Sequence, residues 1–500
     1  MLAAALLCYE APTKLGLHRE HQIITLLAGG FVTWIASRHV LGLAEFVLVT
    51  LPLQLLILSA AYHAGAPTQV VKLAGYGKEL LVAGLVVAAI RERRPAEPSV
   101  AERFAVAFIA LCVLFAALGY AGVAPTQQSR SAIDNALRLN VLFVVAFVAA
   151  RRVTWKPGAT RHLIIAACIP VPALAVGAVW ERFNNAGFVS FVQNTIDYPA
   201  YARNVLGQSL TTFGTATSTT DSSADRVGSW QFDSLALGFI LVLPVAIGFY
   251  LTAIRREPWW GVIFVLATVS LFLTITRSAI LGAGVACVLV AIGAARVRAR
   301  GRARFVVIGA IGLAVLLPAA GAATVFQRVS GAFGGHDAST SDHSNRSSSA
   351  LHRVESSPLG TGLGSNPTSA QRFGAAGTGA SPAENAYLQV GIETGVEGMA
   401  LFVGMALATQ RELARRRGQR GTFTPAAALW GGGWGLAVVG FFLHVWTNIP
   451  TAVTFWLLAG AALSELPPAA RDPDGADAVV DHAGHELDVG PPRAPALVSP

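Results

Sequence analysis

Residues 233–252 read DSLALGFILVLPVAIGFYLT, and only the first of them is charged. A membrane-spanning α-helix needs about 20 mainly apolar residues, so this stretch predicts one complete span. Similar apolar runs recur along the chain and predict an all-α, polytopic membrane bundle of about 12 to 13 helices. The predicted spans are residues 22–38, 41–61, 71–90, 104–123, 134–150, 162–180, 233–252, 258–276, 278–294, 305–324, 395–410, 426–446 and 451–466.

The composition supports the same class of protein. Of the 500 residues, 53% are hydrophobic and 13% are charged, whereas soluble domains carry about 25% charged residues. The net charge of +9 comes largely from basic residues in short loops between apolar runs. There they set the orientation in a membrane, so we expect no nucleic-acid partner. The cysteines lack the spacing of metal ligands and are interpreted as small core residues; they are Cys8, Cys112, Cys168 and Cys287.

Basic clusters alternate with connections that contain few basic residues. Cytoplasmic loops of membrane proteins carry an excess of lysine and arginine, so one set of loops is expected to face the cytoplasm: 91–94, 151–152, 255–256, 296–304 and 411–420. The predicted organisation has N-terminal membrane helices (1–180), a first extracytoplasmic loop (181–232), central helices (233–324), a second extracytoplasmic loop (325–394), C-terminal helices (395–466) and a disordered cytoplasmic tail (467–500).

Three arginines fall on the predicted outer side of the membrane. Arg226 precedes the span 233–252, Arg277 lies at a turn between two spans, and Arg346 lies in the second loop. A guanidinium grips phosphate oxygens with two parallel hydrogen bonds, so the three predict a diphosphate site at the membrane surface. The alternative is that each arginine contacts lipid headgroups. Spacing alone does not show that they converge.

The second loop ends in SPAENAYLQVGIETG at residues 381–395. Ser381, Pro382 and Glu384 have the order of a helix N-terminus, with Ser at the N-cap, Pro at N1 and Glu at N3. In that interpretation the Glu384 carboxylate bonds to the backbone. The alternative is that Glu384 is a general base for a sugar hydroxyl, which favours a partly desolvated carboxylate because an unperturbed one titrates near pH ~4.3.

Lys78 and Glu79 lie inside the predicted span 71–90. Ionisable groups at membrane depth are costly and are therefore candidates for function. Because adjacent residues on a helix do not face each other, each is expected to need another partner or a hydrated cavity.

The first loop is rich in aromatic residues, which are expected either to lie at the membrane interface or to stack on sugar rings. They are Phe183, Phe188, Phe191, Tyr198, Tyr201, Phe213 and Trp230. The second loop holds a group of histidines and aspartates without the spacing of metal ligands, so no metal is expected. This group is His336, Asp337, Asp342, His343 and His352.

Four stretches, taken in order, carry a family resemblance. They are RVGSWQFDSLALGF (226–239), TITRSAILGAGVA (274–286), RSSSALHRVESSPLGTGLG (346–364) and ENAYLQVGIETGVEGMALF (384–402). Their order and predicted outer placement resemble the O-antigen ligase and polymerase family of bacterial membrane glycosyltransferases. The resemblance implies a GT-C-like bundle. It also implies inverting, metal-independent and cofactor-free transfer of a glycan from a polyprenyl diphosphate to a glycan or glycolipid acceptor. The reaction would take place among membrane lipids at the outer face of the bacterial cytoplasmic membrane.

The resemblance also assigns roles to individual residues. Diphosphate binding passes to Arg226 and Arg346 and, less directly, to Arg277. The ligase branch has His-Asn, with the His as base, where this chain has Glu384-Asn385. A carboxylate also accepts a proton, so the role of base passes to Glu384, and the change favours a polymerase or another cell-surface glycan ligase.

Four more residues are expected to contact donor or acceptor: Asn385, Tyr387, Lys78 and Glu79. Ligase and polymerase remain alternatives at this point. A transporter or flippase for a polar lipid or sugar is a further alternative, and so is a non-enzymatic scaffold of envelope assembly. A transporter would place its polar residues at the membrane midplane, whereas here they concentrate in the predicted outer loops.

Overall fold

The computed structural model describes residues 33–35, 37–92, 97–124, 128–207, 226–297, 338–366, 383–417 and 425–464. Regular secondary structure in these residues is helical throughout, which confirms the predicted all-α class. The helices, numbered along the chain, are α1 (Val40–His63), α2 (Thr68–Ala74), α3 (Gly77–Glu92), α4 (Val100–Tyr120), α5 (Arg130–Arg152), α6 (Ala159–Phe183), α7 (Asn185–Ser190), α8 (Tyr198–Asn204), α9 (Ser234–Ile254), α10 (Trp260–Leu273), α11 (Arg277–Val297), α12 (Ala338–Ser356), α13 (Ala386–Arg416), α14 (Ala426–Phe442) and α15 (Ile449–Ser464).

The lengths of these helices fit a multi-pass membrane protein. Six of the described helices are long and apolar enough to cross a membrane, seven if the bent pair α2 and α3 forms one span, and four more apolar helices are shorter. Every predicted span within the described residues coincides with one of these helices or with the bent pair. Most of span 22–38 and all of span 305–324 lie outside the described residues, as does the tail 467–500.

The second predicted loop contains one helix and ends in another. α12 occupies 19 residues of it. Its sequence is polar and rich in serine, and it is stabilised by packing on α13 rather than by an apolar run. α13 begins at Ala386, before the predicted span 395–410 and shortly after the helix N-terminus predicted at residues 381–384, and its backbone breaks at Gly395.

One end of the bundle is held together by a network of arginines and glutamates. Arg151 Nε lies 3.1 Å from Glu102 Oε2, and Arg151 Nη1 lies 2.6 Å from Glu412. Arg152 also reaches Glu102, at 2.5 Å. These pairs join the start of α4 to the ends of α5 and α13. We call this end of the bundle the basic end and the opposite end the loop end.

Aromatic side chains fix α13 within the bundle. The Phe402 ring of α13 packs against Phe108 of α4 with centroids 5.7 Å apart and against Phe143 of α5 at 6.1 Å. Phe143 also stacks on Trp456 of α15 at 6.0 Å. The first half of α13 therefore projects from a packed core toward the loop end, where the candidate site lies.

Candidate active site

The α12 helix packs along the first part of α13. A small apolar cluster joins the two helices through Ala350 and Val354 of α12 and Leu388 and Ile392 of α13. Van der Waals contact of Val354 with Gly391 brings the backbones close, since a Cβ at Gly391 would lie 3.2 Å from the Val354 side chain. This pairing gives the arginines of α12 a fixed position over the start of α13.

The segment that follows α12 caps the break in α13. Gly395 has φ 77° and ψ −179°, and the Val396 amide donates to Pro358 O at 2.8 Å instead of continuing the helix. The carbonyl of Ile392, which loses its helical partner, accepts from the Thr361 amide at 2.8 Å, and the Glu393 carbonyl accepts from the Gly362 amide at 3.2 Å. We call this set of bonds between 358–362 and 392–396 the clasp.

The clasp explains two of the sequence stretches that carry the family resemblance. A Cβ on Gly360, whose φ is +82°, would lie 2.5 Å from the Gly395 amide nitrogen. A glycine is therefore required at 360 by both conformation and space. The PLGTGLG run and the ENAYLQVGIETG signature thus form one structural unit.

Arg346 and Glu384 form an ion pair at the loop end. Arg346 Nη1 donates to Glu384 Oε1 at 2.7 Å, and the side chains are 39% and 12% exposed, respectively. The bond holds a partly desolvated carboxylate and a more accessible guanidinium side by side. A base candidate and a phosphate-binding candidate, 38 positions apart in sequence, therefore meet.

The predicted role of Glu384 as the N3 residue of a capping box is wrong. Asn385 is the N-cap of α13, and its side chain accepts from the amides of Tyr387 and Leu388 at 2.9 and 3.0 Å. Glu384 therefore precedes the helix. Ser381 lies outside the described residues. Asn is among the most favoured N-cap residues. At position 385 its side chain also bonds to α14.

Asn385 and Tyr387 also fasten α13 to α14. Asn385 Nδ2 donates to the Phe441 carbonyl at 2.8 Å, and the Tyr387 hydroxyl donates to the Ala437 carbonyl at 3.0 Å. Both side chains thus have a structural role. Their predicted contacts with donor or acceptor stay a prediction.

Arg226 lies where α9 and α11 begin. Its Nε donates to Thr274 O at 3.3 Å and its Nη2 to Thr276 Oγ1 at 3.2 Å. Thr276 Oγ1 in turn bonds to Ser234 O at 3.2 Å. Arg277 follows directly as the first residue of α11 and is half-buried. Two of the predicted arginines therefore share one corner of the loop end.

The backbone around Arg226 is strained and held by a carboxylate. Ser229, Phe232 and Ile275 all have φ near +50°, at 49°, 54° and 53°, a region that is costly for residues other than glycine. The buried Glu181 carboxylate of α6 accepts from the amides of Gly228 and Ser229 at 2.9 and 2.6 Å. Strain of this kind clusters at functional sites, and sequence reasoning did not single out Glu181.

The turn between α14 and α15 connects the two arginine groups. His444 in this turn is half-buried, and its ring meets Phe239 of α9 edge-on with centroids 6.1 Å apart. Burial lowers the pKa of His444, and the carboxylate of Asp233, the N-cap of α9, partly offsets this effect. Through Phe441, the preceding end of α14 holds Asn385. The Arg346–Glu384 pair and Arg226 therefore lie at the same end of the bundle on either side of one turn.

Lys78 and Glu79 form a buried charged group with a partner that sequence reasoning missed. Lys78 Nζ lies 3.5 Å from Glu79 Oε2 and donates to Gly75 O at 2.6 Å, and Arg138 Nε of α5 donates to Glu79 Oε1 at 2.6 Å. Each residue thus has the further partner that the sequence analysis expected, Gly75 O for Lys78 and Arg138 for Glu79, and the two charged groups also lie within ion-pair distance of each other. The 45° bend between α2 and α3 places them in a first helical turn, where the lysine folds back toward Gly75.

Two further charged residues near the clasp were also missed. The fully buried Glu393 accepts a hydrogen bond from Asn140 Nδ2 of α5 at 2.8 Å. Arg353 of α12 is attracted to that carboxylate and donates to Ser365 O at 3.4 Å. The one available signal was the acidic residue itself, inside a membrane helix.

The aromatic residues of the first loop pack with one another. Phe188, Tyr198, Tyr201 and Trp230 are buried, and Phe188 lies 5.2 Å from Trp230 between ring centroids. Neither the interfacial nor the sugar-stacking expectation holds for these four. Phe183 is the exception at 84% exposed, and Phe213 lies outside the described residues.

Comparison with protein families gives one match. Residues 262–403 match the family model described as O-antigen ligase, a stretch that contains Arg277, Arg346, Glu384 and three of the four resembling sequence stretches. Among curated proteins, none matches the chain. The match confirms the resemblance seen in the sequence, and together with the apolar helices it supports a multi-pass membrane protein. Over this stretch, 142 of its 500 residues, the chain is similar to the O-antigen ligase family.

Proposed function

We propose that the protein transfers a polyprenyl-diphosphate-linked glycan to a glycan or glycolipid acceptor at the outer face of the bacterial cytoplasmic membrane. The observation that supports this most directly is the Arg346–Glu384 ion pair of 2.7 Å at the loop end. It joins the two functions that such a transfer needs, an anion-binding guanidinium and a proton acceptor.

The proposed reaction is a single displacement. The acceptor hydroxyl oxygen attacks the anomeric carbon of the donor sugar, and the bond from that carbon to the diphosphate oxygen breaks with inversion. The hydroxyl proton passes to the Glu384 carboxylate. The polyprenyl diphosphate leaves with the bonding electron pair, and Arg346 and Arg226 stabilise the charge that develops on it.

The ion pair also suggests how donor binding prepares the base. A carboxylate that accepts a charge-assisted bond from Arg346 is a weaker proton acceptor. A diphosphate carries more negative charge than one carboxylate and matches the guanidinium fork, so it competes for Arg346. Donor binding therefore draws Arg346 away and leaves Glu384 more basic when the acceptor arrives.

Sidedness is part of the proposal. The basic end carries Arg151, Arg152 and Arg416, and the positive-inside rule assigns that end to the cytoplasm. The loop end, with Arg226, Arg346 and Glu384, then faces outward. Lipid-linked glycans that have already crossed the membrane would reach it from the bilayer plane.

The test is transfer by the purified protein in liposomes with a lipid-linked glycan donor. We expect Arg346→Ala to insert and fold normally but to lower transfer on the order of 10²-fold or more, the loss typical of a removed transition-state donor. Unchanged transfer would exclude the diphosphate role. Movement of the donor between leaflets without any joining would instead identify a flippase.

Deletion of the protein in cells distinguishes the two forms of the proposed function, a ligase and a polymerase. Accumulation of finished lipid-linked polymer identifies a ligase, whereas accumulation of single lipid-linked repeats identifies a polymerase. An unchanged set of surface glycans and lipid-linked intermediates contradicts both.

A further inference from the structure

Arg353 lies on the same face of α12 as Arg346. The two are seven positions apart, which corresponds to two turns and about 10 Å along a helix. Ala350 and Val354 of α12 pack on α13. Ala350 lies between the two arginines in sequence, and Val354 follows Arg353 directly. A ligand held by Arg346 and extended along this face therefore reaches Arg353.

Arg353 has hydrogen-bonding capacity to spare. Its Nη2 donates to Ser365 O at 3.4 Å, while its buried Nη1 has no hydrogen-bond acceptor among the described residues. Burial lowers the pKa of Arg353, and the Glu393 carboxylate partly offsets that effect. A guanidinium stays protonated in proteins. A guanidinium offers five N–H donors, and a buried one without an acceptor is costly unless a ligand or water supplies it.

We propose that Arg353 is a further diphosphate-binding residue of this site, beside Arg346. This inference rests on the proposed function. Arg346 near Glu384 binds the phosphate closest to the sugar, and Arg353 donates to oxygens farther along the diphosphate.

The test uses inorganic pyrophosphate as a competitor of the lipid-linked donor. For Arg353→Gln we expect the inhibition constant of pyrophosphate and the donor KM to rise at least about tenfold, the loss typical of one charge-assisted hydrogen bond. The matched control is His352→Gln, the exposed neighbour on α12, which should leave both unchanged. Equal pyrophosphate inhibition in a folded Arg353→Gln protein overturns the inference.

A conservative variant keeps the result interpretable. Arg353→Lys keeps the charge without the planar fork and should still weaken pyrophosphate inhibition; if only this variant folds, an unchanged inhibition constant overturns the inference. A wild-type protein that transfers glycan but is insensitive to pyrophosphate overturns the diphosphate-binding role of Arg353, whereas a wild-type protein without transfer overturns the proposed function itself.

Discussion

Glu384 occupies the position at which the ligase branch of the family has a histidine. A histidine is neutral and basic near pH 7, whereas a carboxylate at this position must be kept from its usual state of a weakly basic, hydrated anion. In the proposed reaction, its 12% exposure supplies the desolvation, and Arg346 supplies a counter-charge that the donor would remove. The proposed role of Glu384 as a base therefore depends on the arginine beside it.

We expect Glu384→Gln to lower kcat on the order of 10²- to 10⁴-fold, the usual contribution of a general base, with little change in donor KM. Glutamine keeps the shape and can still accept the bond from Arg346, and α13 keeps Asn385 as its N-cap. Steady-state transfer kinetics measure the effect. The control is Glu397→Gln, an exposed residue on the same helix. A fully active Glu384→Gln protein would show that the carboxylate is structural.

His444 makes the stability of the loop end depend on pH. Because burial lowers its pKa in the folded protein, the unfolded chain binds the proton more readily in mild acid. The contribution of neutral His444 to the free energy of unfolding is therefore fully present above the ordinary histidine pKa of about 6.5, and the free energy of unfolding falls as the pH decreases below that value. We expect His444→Gln to flatten the acid limb of a plot of melting midpoint against pH in detergent. His352→Gln, at an exposed site, should keep it; identical acid limbs in wild type and His444→Gln would contradict the prediction.

At the scale of elements, the clasp is the feature on which the site depends. It ties the turn after α12 to the break in α13 by backbone bonds of 2.8 to 3.2 Å, so the position of Arg346 over Glu384 follows from it. Side chains contribute the small apolar cluster between the two helices and a bond of 2.9 Å from Thr361 Oγ1 to the Ile392 carbonyl. The geometry of the ion pair is therefore sensitive to glycines that never touch a substrate.

We expect Gly360→Ala to destabilise the protein by roughly 1–3 kcal/mol and to reduce transfer, because alanine meets both an unfavourable φ of +82° and a clash 2.5 Å from the Gly395 nitrogen. Thermal unfolding and protease sensitivity of the α12 region measure the change. Gly42→Ala is the control, because nothing lies within 4 Å of its Cβ position. A Gly360→Ala protein with wild-type stability and transfer would show that the clasp is dispensable.

The sequence predicts the membrane helices well because each span needs a long apolar run that little else requires. It does not predict α12, whose stability comes from packing on α13 rather than from composition. It predicts Ser381 as the N-cap of this helix, whereas the N-cap of α13 is Asn385, whose side chain also bonds to the Phe441 carbonyl. Local patterns fail where a tertiary contact decides between two acceptable local structures.

The candidate site is predictable only in part. Arg346 and Glu384 were both named from the sequence, but their contact was not, because the parallel packing of α12 along α13 determines which positions meet. Arg353 and Glu393 were missed for the same reason. Pairing between distant segments is a property of the fold, and residue type alone did not reveal it.

At the scale of the whole molecule, the proposed reaction depends on the orientation of the bundle in the membrane, that is, on which end faces the cytoplasm. The three described cysteines, Cys112, Cys168 and Cys287, are buried, so an engineered surface cysteine can report sidedness once the native ones are replaced. Exposed positions exist at both ends of the bundle. Glu355 on α12 lies at the loop end, and Glu97 before α4 lies at the basic end.

We expect Glu355→Cys to react with a membrane-impermeant maleimide in cells whose inner membrane is intact. Glu97→Cys should react only after the membrane is opened, because the arginine-rich end faces the cytoplasm. Labelling yield on a gel measures both. The reverse pattern would place the candidate site in the cytosol and contradict the proposed reaction.

The broken backbone at Gly395 limits how the molecule can open. If the segment 358–362 moved away, the carbonyls of Ile392 and Glu393 would lose their partners, and an unsatisfied carbonyl in an apolar environment costs several kcal/mol. The turn after α12 is thus expected to stay fixed to α13 instead of opening as a lid. In the proposed reaction, a lipid-borne sugar would therefore reach Glu384, and the lengthened product would leave it, without displacement of this segment.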